Sequence, residues 1–255
     1  MQVSYNKLKT FGECPLKYRL TYVERLPRPP IAWLGFQRRV HLALARYHDI
    51  AKRDGSVRIE ELLSAYEKVW ELDKYPELRD GTEYQDGEEI LRMYCDNEQR
   101  KRRVPAHLEK KVRCSFGPYT LTGKVDRIDF GEDDRYSVVD YKLDRKLPPA
   151  NPAAVDRQLS FYQLLVREGL GLTVDDVRLY YLRHGVEKAA PRTREHLHET
   201  VAWVDETAGA IQKERRWMPC EGDACKTCPY FKLCPAKTGH AREAREVWAQ
   251  AELPW

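Results

Sequence analysis

The chain has 255 residues, of which 42% are hydrophobic and 33% are charged, a composition typical of a globular protein with a substantial core. Its 44 basic residues exceed its 40 acidic residues by only four, so net charge alone does not indicate a nucleic-acid-binding protein. No run approaches the roughly 20 apolar residues of a membrane span, and the first residues lack the apolar core of a secretory signal. We therefore expect a cytoplasmic protein with no membrane partner.

Helical patterns dominate the first part of the chain. Residues 1–30 predict one or two short helices, interrupted at Pro15 and followed by a proline-rich turn. Apolar residues at spacings of three and four in the region 31–105 predict amphipathic helices. These helices are expected at 32–51, 59–73 and 86–103.

The hydrophobic period changes at residue 107. The stretches HLEKKVRCSF, YTLTGKVDRIDF and YSVVDYKL alternate or run apolar and are separated by turn residues, which predicts a meander of three strands. Pro152 is placed to begin an amphipathic helix at 153–168. A fourth strand at 177–183 and a helix at 195–216 complete the pattern. This order predicts an α/β fold in one domain, 1–255, with its core at 106–216 and a cysteine-rich tail at 217–255.

An acid and a base end the third predicted strand. Because side chains alternate along a strand, Asp140 and Lys142 project to the same side. The preceding strand carries Asp126, which antiparallel pairing would bring beside Asp140. Two carboxylates suit Mg²⁺ or Mn²⁺, and a lysine beside them would orient water or neutralise charge on a phosphodiester. Taken alone, however, an acid and a base in this arrangement are more often a surface ion pair than a catalytic pair.

Three polar residues on predicted helices are weaker candidates. Gln158 and Tyr162 are four apart and share a helix face, where they would fix the lysine or a phosphate, or simply face solvent. His41 lies close to the apolar stripe of its helix, where a hydrogen-bonded core histidine is the commoner interpretation.

A basic run at 100–103 suggests contacts with a nucleic acid. It comprises Arg100, Lys101, Arg102 and Arg103, and such clusters bind phosphates. The nearby Tyr94 would stack bases in a passage for a single strand. A solvated helix face explains the same charges equally well.

Five of the seven cysteines need an explanation other than ordinary packing. Cys225, Cys228 and Cys234 form a C-x2-C-x5-C motif, a spacing that serves either tetrahedral zinc or an iron–sulfur cluster. Cys220 and Cys14 are both available as a fourth ligand. Spacing alone slightly favours zinc, because compact sites with four cysteines are common.

The ordered set of motifs adds a family resemblance. His41 on a helix after Gly35, then GKVDRID, VVDYK and QLSFY, resembles the RecB-like branch of the PD-(D/E)XK nuclease superfamily. The resemblance implies a restriction-endonuclease-like core, a central mixed sheet flanked by helices, with a helical N-terminal insertion. It spans nearly the whole chain, although Val125 stands where the superfamily's name places a proline.

The resemblance also implies roles for individual residues. Metal ligation falls to His41, Asp126, Asp140 and the backbone carbonyl of Tyr141, and catalysis to Lys142. Supporting roles fall to Gln158 and Tyr162, and Glu109 in the first strand is a further acid near the metal.

The resemblance to iron–sulfur members of this branch favours an iron–sulfur cluster over zinc at the cysteine motif. These members take one cysteine from the N-terminal segment and three from a C-terminal C-x2-C-x5-C. The resemblance therefore implies a structural [4Fe–4S] cluster on Cys14, Cys225, Cys228 and Cys234, with Cys220 as a substitute.

The function that the resemblance implies is a Mg²⁺- or Mn²⁺-dependent DNA exonuclease acting on single-stranded ends, in DNA repair, recombination or CRISPR adaptation. Two alternatives stay open. One is a non-catalytic, zinc-containing nucleic-acid-binding module. The other is a nuclease subunit with a helicase or CRISPR-adaptation partner, since the chain lacks a GxxxxGK[ST] phosphate-binding loop.

Overall fold

The computed structural model describes residues 1–27, 32–71, 82–101, 105–131 and 134–238. The chain divides into two compact units. The first unit comprises Met1–Gln2 and Ile31–Val201, and the second comprises Val3–Pro30 and Ala202–Trp255. The single domain expected from the sequence stays a prediction.

The elements follow the predicted alternation of helices and strands. The strands are β1 Gln2–Val3, β2 Pro105–Phe116, β3 Tyr119–Phe130, β4 Arg135–Lys142, β5 Thr173–Tyr181 and β6 Val186–Pro191. The helices are α1 Tyr5–Glu13, α2 Pro15–Tyr18, α3 Ala32–Asp54, α4 Ile59–Glu71, α5 Thr82–Lys101, α6 Arg157–Leu170, α7 Arg194–Lys213 and α8 Pro235–Thr238.

The sheet of the first unit is mixed. Its strand order is β1-β3-β4-β5-β6, and β2 also pairs with β3. The predicted meander of β2, β3 and β4 is confirmed, with antiparallel pairing throughout. β4 then pairs in parallel with β5 across the connection that contains α6. The sequence pattern missed β6 because its residues, VEKAAP, do not alternate between apolar and polar.

Helices flank both faces of this sheet. Helices α3, α4 and α5 form one buried cluster with Val139, Tyr141 and Tyr180 of the sheet. Asp140 instead contacts Gln158 of α6. Because consecutive strand residues point to opposite faces, α6 packs on the face opposite to the cluster. The predicted fold class, a mixed α/β core flanked by helices, is confirmed.

The helix predicted to begin at Pro152 begins later. Pro152–Ala154 is a single 3-10 turn, and α6 starts at Arg157 after Asp156. The Asp156 carboxylate accepts a hydrogen bond from the backbone N–H of Leu159 at 2.9 Å, so it satisfies a donor that the helix itself leaves unpaired. The N-cap, and not the proline, therefore fixes where this helix begins.

The second unit joins two segments that are far apart in the sequence. Its described residues include α1, α2, a π-helical turn at Arg19–Val23, the end of α7 and two 3-10 turns near the cysteines. Tyr18 and Trp217 stack with ring centroids 5.9 Å apart, and the buried Tyr230 donates a hydrogen bond to the carbonyl of Leu26 at 3.2 Å. These contacts hold residues 3–27 against residues 202–238.

None of the helices in the described part of the chain is both long enough and apolar enough to cross a membrane.

Candidate active site

Two carboxylates meet where β3 and β4 run side by side. Arg127 pairs with Val139, so the next positions along this antiparallel ladder are Asp126 and Asp140. The backbone N–H of Tyr141 donates a hydrogen bond to Asp126 Oδ2 at 3.0 Å. Both aspartates are buried. Asp126 and Asp140 are therefore adjacent, as expected from the sequence. Lys142 follows two residues after Asp140 in β4.

A histidine and a third acid lie against Asp126. The Nδ1 atom of His41 lies 3.4 Å from Asp126 Oδ1 and 3.9 Å from Glu109 Oε1. Glu109 sits opposite Asp126 in the β2–β3 ladder, between the pairs Leu108–Arg127 and Lys110–Val125. Its φ is +47°, a left-handed conformation that strains any residue with a side chain.

The spacing of these donors suits a divalent cation. One ligand atom each from His41, Glu109 and Asp126 can be chosen so that all three lie within 4.8 Å of one another, the one such group among the described residues. Around an octahedral ion with ligands at about 2.1 Å, neighbouring ligands are about 3 Å apart and opposite ligands about 4.2 Å apart. The observed 3.4 and 3.9 Å fall in this range. One imidazole with two carboxylates is a donor set that Mn²⁺ accepts readily.

Asp140 contacts the catalytic candidates of its own strand, β4, and of helix α6. Its Oδ2 lies 2.6 Å from Lys142 Nζ, and its Oδ1 accepts a hydrogen bond from Gln158 Nε2 at 2.9 Å. Gln158 also donates to the hydroxyl of Tyr162 at 3.0 Å and accepts from Lys142 Nζ at 3.4 Å. Gln158 is thus not simply solvated, because it contacts the other three members of this group.

Burial sets the protonation of this group. Burial raises the pKa of Asp140 to about 6, partly offset by Lys142 and reinforced by Asp126. Burial alone would lower the pKa of Lys142, but the charge and hydrogen bond of Asp140 raise it above its usual range. Burial followed by Asp140 raises the pKa of Tyr162. At neutral pH the group therefore presents an ammonium and a neutral phenol, and Lys142 acts as a donor.

The predicted metal ligands fall into two sets. His41 and Asp126 lie together with Glu109, whereas both carboxylate oxygens of Asp140 contact N–H donors. The Tyr141 N–H points toward Asp126, and a strand residue directs its N–H and C=O to the same side. Ligation by Asp140 and by the Tyr141 carbonyl stays a prediction.

The basic run is only partly described. Arg100 is exposed in the last turn of α5, while Arg102 and Arg103 lie outside the described residues. Lys101 forms ion pairs with Glu187 at 2.7 Å and Glu98 at 3.6 Å. The idea that Tyr94 stacks bases is wrong, because that side chain is 1% exposed within the core.

The cysteine motif forms a separate candidate site within the second unit. Five cysteines line one small cavity there: Cys14, Cys220, Cys225, Cys228 and Cys234. None is in a disulfide. The Cys14 sulfur accepts hydrogen bonds from the N–H groups of Lys17 and Cys220, each at 3.4 Å. Both candidates for the fourth ligand therefore lie at this cavity.

Asp156 is a polar group near the site that the sequence interpretation missed. Its charge acts on both Asp140 and Lys142, and it caps the helix that carries Gln158. The signal was available in the sequence, because an aspartate directly before an amphipathic stretch is a preferred N-cap.

The sheet, the paired acids and the adjacent lysine are the parts of a hydrolytic nuclease. The model of the PD-(D/E)XK nuclease superfamily matches residues 2–235, and the chain belongs to that superfamily. The superfamily predicted from the sequence is confirmed, and the RecB-like branch stays a prediction.

Comparison with solved structures supports the fold. A structure from Eubacterium rectale, described as that of a candidate exonuclease, is 15% identical, covers 88% of this chain and 86% of its own, and gives a TM-score of 0.54. The structure of SSO0001 is also 15% identical and covers 88% of this chain and 95% of its own. Its TM-score of 0.37 is too low to support an inference. No curated protein matches the chain.

Proposed function

We propose that this nuclease is a metal-dependent DNA exonuclease that hydrolyses phosphodiester bonds at single-stranded ends. The observation that carries the proposal is the meeting of two groups where β3 and β4 run side by side. One is the donor group of His41, Glu109 and Asp126. The other is the hydrogen-bonded set built on Asp140 and Lys142. Action on ends is supported by the sequence resemblance to RecB-like exonucleases.

The residues of the first group would hold Mg²⁺ or Mn²⁺, with Asp140 and the Tyr141 carbonyl as further ligands. A cation held there would polarise the phosphate and lower the pKa of a bound water. Lys142 stays protonated, so its ammonium is suited to hydrogen-bond the attacking water or the oxygen on which negative charge develops.

The surrounding side chains orient Lys142. Asp140 holds its ammonium at 2.6 Å, and Gln158 fixes the other oxygen of Asp140. Tyr162 in turn accepts a hydrogen bond from Gln158. Each of the two side chains that contact the lysine is therefore held by a further hydrogen bond, which limits the reorganisation needed during the reaction.

We further propose that Cys14, Cys225, Cys228 and Cys234 bind a structural [4Fe–4S] cluster. In a zinc site with Zn–S bonds near 2.3 Å, tetrahedral geometry puts the sulfurs about 3.8 Å apart. Among the described residues no three cysteine sulfurs lie within 4.8 Å of one another. The support for an iron–sulfur cluster is the resemblance to RecB-like members that carry one, together with the cavity that these cysteines line.

The biological setting is proposed on the resemblance alone. DNA repair, recombination and CRISPR adaptation, a helicase or CRISPR-adaptation partner, and a cytoplasmic location all stay predictions. A non-catalytic binding module is disfavoured, because it gives no reason for a partly buried lysine held by both an aspartate and a glutamine.

The experiment that tests the activity is cleavage of end-labelled single-stranded DNA with Mg²⁺, with Mn²⁺ and with chelator, using anaerobically purified protein. Lys142→Ala is compared with Lys52→Ala, which removes an exposed lysine from α3. We expect metal-dependent shortening by the wild type and by Lys52→Ala, and loss of at least 100-fold in Lys142→Ala, the scale of one electrostatic donor.

The position of the label gives the polarity of cleavage, and a circular single strand tests the requirement for an end. Cleavage of the circle would contradict the exonuclease assignment. No cleavage by folded wild-type protein with either metal would contradict the proposed activity as a whole.

A further inference from the structure

An arginine lies fully buried beside the candidate metal site. Arg127 follows Asp126 in β3 and has 0% of its surface exposed. Its guanidinium donates to Glu98 at 2.7 Å and to Asp129 at 2.5 Å. The same nitrogen that reaches Glu98 also donates to the hydroxyl of Tyr94 at 2.8 Å. A charged group is therefore fixed in the core on the residue next to a metal-ligand candidate.

The hydroxyl of Tyr94 is the hub of this network. It lies 2.6 Å from His48 Nε2 and 2.8 Å from the hydroxyl of Tyr141. Arg127 also lies 3.1 Å from His48 Nε2. The two N–H groups of the Arg127 nitrogen in this contact already serve Glu98 and Tyr94. Because an arginine nitrogen can only donate, a proton on His48 Nε2 would face another donor, so the contact favours a neutral ring whose Nε2 accepts from Tyr94. Tyr94 then donates to His48 and accepts from Arg127 and Tyr141.

The network joins two of the elements that carry the donor group, α3 and β3, to the neighbouring strand β4. His48 lies seven residues after His41 on α3, two helical turns along the same side. Tyr141 contacts the donor group directly: its ring meets the His41 ring edge-on at 5.5 Å, and its N–H donates to Asp126. The contacts through Tyr94 therefore connect α3, β3 and β4 on the core side of the site.

Stability alone is a poor reason for such a network. Burying charges costs several kcal/mol per ion before pairing offsets it, and apolar replacements of buried ion pairs are often neutral or stabilising. A network of buried hydrogen bonds does, however, restrict the geometry of the elements that it joins, even though one guanidinium nitrogen of Arg127 has no partner. What needs to be fixed here is the position of α3, which carries His41, relative to Asp126 on β3.

We propose that Tyr94 and Arg127 are positioning residues for the metal site, which set the separation of His41 from Asp126 without touching the metal or the substrate. The inference rests on the proposed function, because it assumes that this donor group binds a cation. Removing a group that hydrogen-bonds to a metal ligand, and so orients it, typically lowers metal affinity by about 10- to 100-fold.

The test is Mn²⁺ affinity by calorimetry on the full chain without DNA, so that no catalysis is required. Tyr94→Phe removes only the hub hydroxyl. Tyr66→Phe is the matched control, because it removes a buried tyrosine hydroxyl from α4 in the same core cluster. We expect Tyr94→Phe to weaken Mn²⁺ binding by about 10-fold and Tyr66→Phe to leave it unchanged. Asp126→Asn identifies the titrated site by abolishing binding there.

Thermal unfolding of each variant separates positioning from stability. If Tyr94→Phe and Tyr66→Phe both lower the melting temperature and neither changes the affinity, the network is only structural and the inference is overturned. If Tyr94→Phe does not fold, His48→Phe removes a different partner of the same hydroxyl and carries the same expectation. Wild-type protein that binds no more Mn²⁺ than Asp126→Asn would overturn the proposed metal site itself, and this inference with it.

Discussion

His48 makes the stability of the first unit depend on pH, and its replacement by phenylalanine tests how it is buried. Burial, followed by the charge of Arg127, lowers the pKa of His48 to about 2, whereas an unfolded chain leaves histidine near 6.5. Below pH 6.5, His48 therefore binds a proton in the unfolded state but stays neutral in the folded state. Stability is lost as the pH falls through this window, because linkage favours the state that binds more protons.

The size of the effect follows from the width of the window. Each pH unit below 6.5 contributes about 1.4 kcal/mol, so the wild type should lose about 2 kcal/mol between pH 7.5 and pH 5 from this residue alone. Asp140 acts with the opposite sign, because its pKa is raised to about 6 and the folded state takes up a proton first. The difference between the wild type and His48→Phe cancels that contribution, since Asp140 is present in both.

The measurement is the free energy of unfolding from urea titrations at several pH values between 5 and 7.5, with chelator present to exclude metal binding. His48→Phe should be less stable at pH 7.5 by about 1–3 kcal/mol, because the hydroxyl of Tyr94 loses a buried partner. It should also lose about 2 kcal/mol less than the wild type on acidification. Parallel pH profiles for the two proteins would refute the assignment of His48 as a buried neutral acceptor.

Three further predictions concern the two candidate sites. Gln158→Leu should lower the single-turnover rate of cleavage by about 10- to 100-fold, since it leaves a buried oxygen of Asp140 without its donor; an unchanged rate would contradict this. His41→Asp should shift the metal preference from Mn²⁺ toward Mg²⁺, because it exchanges an imidazole for a hard carboxylate. Activity titrated with each metal checks this, and an unchanged ratio of the Mn²⁺ to the Mg²⁺ activity would count against His41 as a ligand. Cys14→Ser should lose the visible absorbance and iron content of anaerobically purified protein, whereas Cys220→Ser should keep both; the reverse result would make Cys220 the fourth ligand.

Much of the site could be predicted because its geometry follows from short-range rules. Short turns joining three consecutive strands predict an antiparallel meander, and this pairing places Asp126 beside Asp140. Alternation then puts Lys142 on the same side as Asp140. The motif order supplied the fold class, which the strand order and the flanking helices bear out.

The remaining features depend on long-range packing that no local pattern encodes. Glu109 reaches His41 through a left-handed backbone in the middle of a strand, which alternation does not predict. Tyr94 looked available for stacking because its neighbours are charged, but its hydroxyl is held in the core by residues 33 and 47 positions away along the chain. The position of Gln158 depends on where α6 begins, because Gln158 lies in its first turn, and Asp156 caps that turn.

The discontinuous second unit has a consequence for the order in which the chain folds. The main segment of the first unit is continuous, Ile31–Val201, so it can form as soon as it leaves the ribosome. The second unit cannot form at that point, because Cys14 contacts residues such as Cys220, which is 206 positions later in the chain. Closing a loop of that length costs about 5 kcal/mol of chain entropy from an unfolded chain. If the first unit folds beforehand, much of that chain entropy has already been lost when residues 202–238 are made.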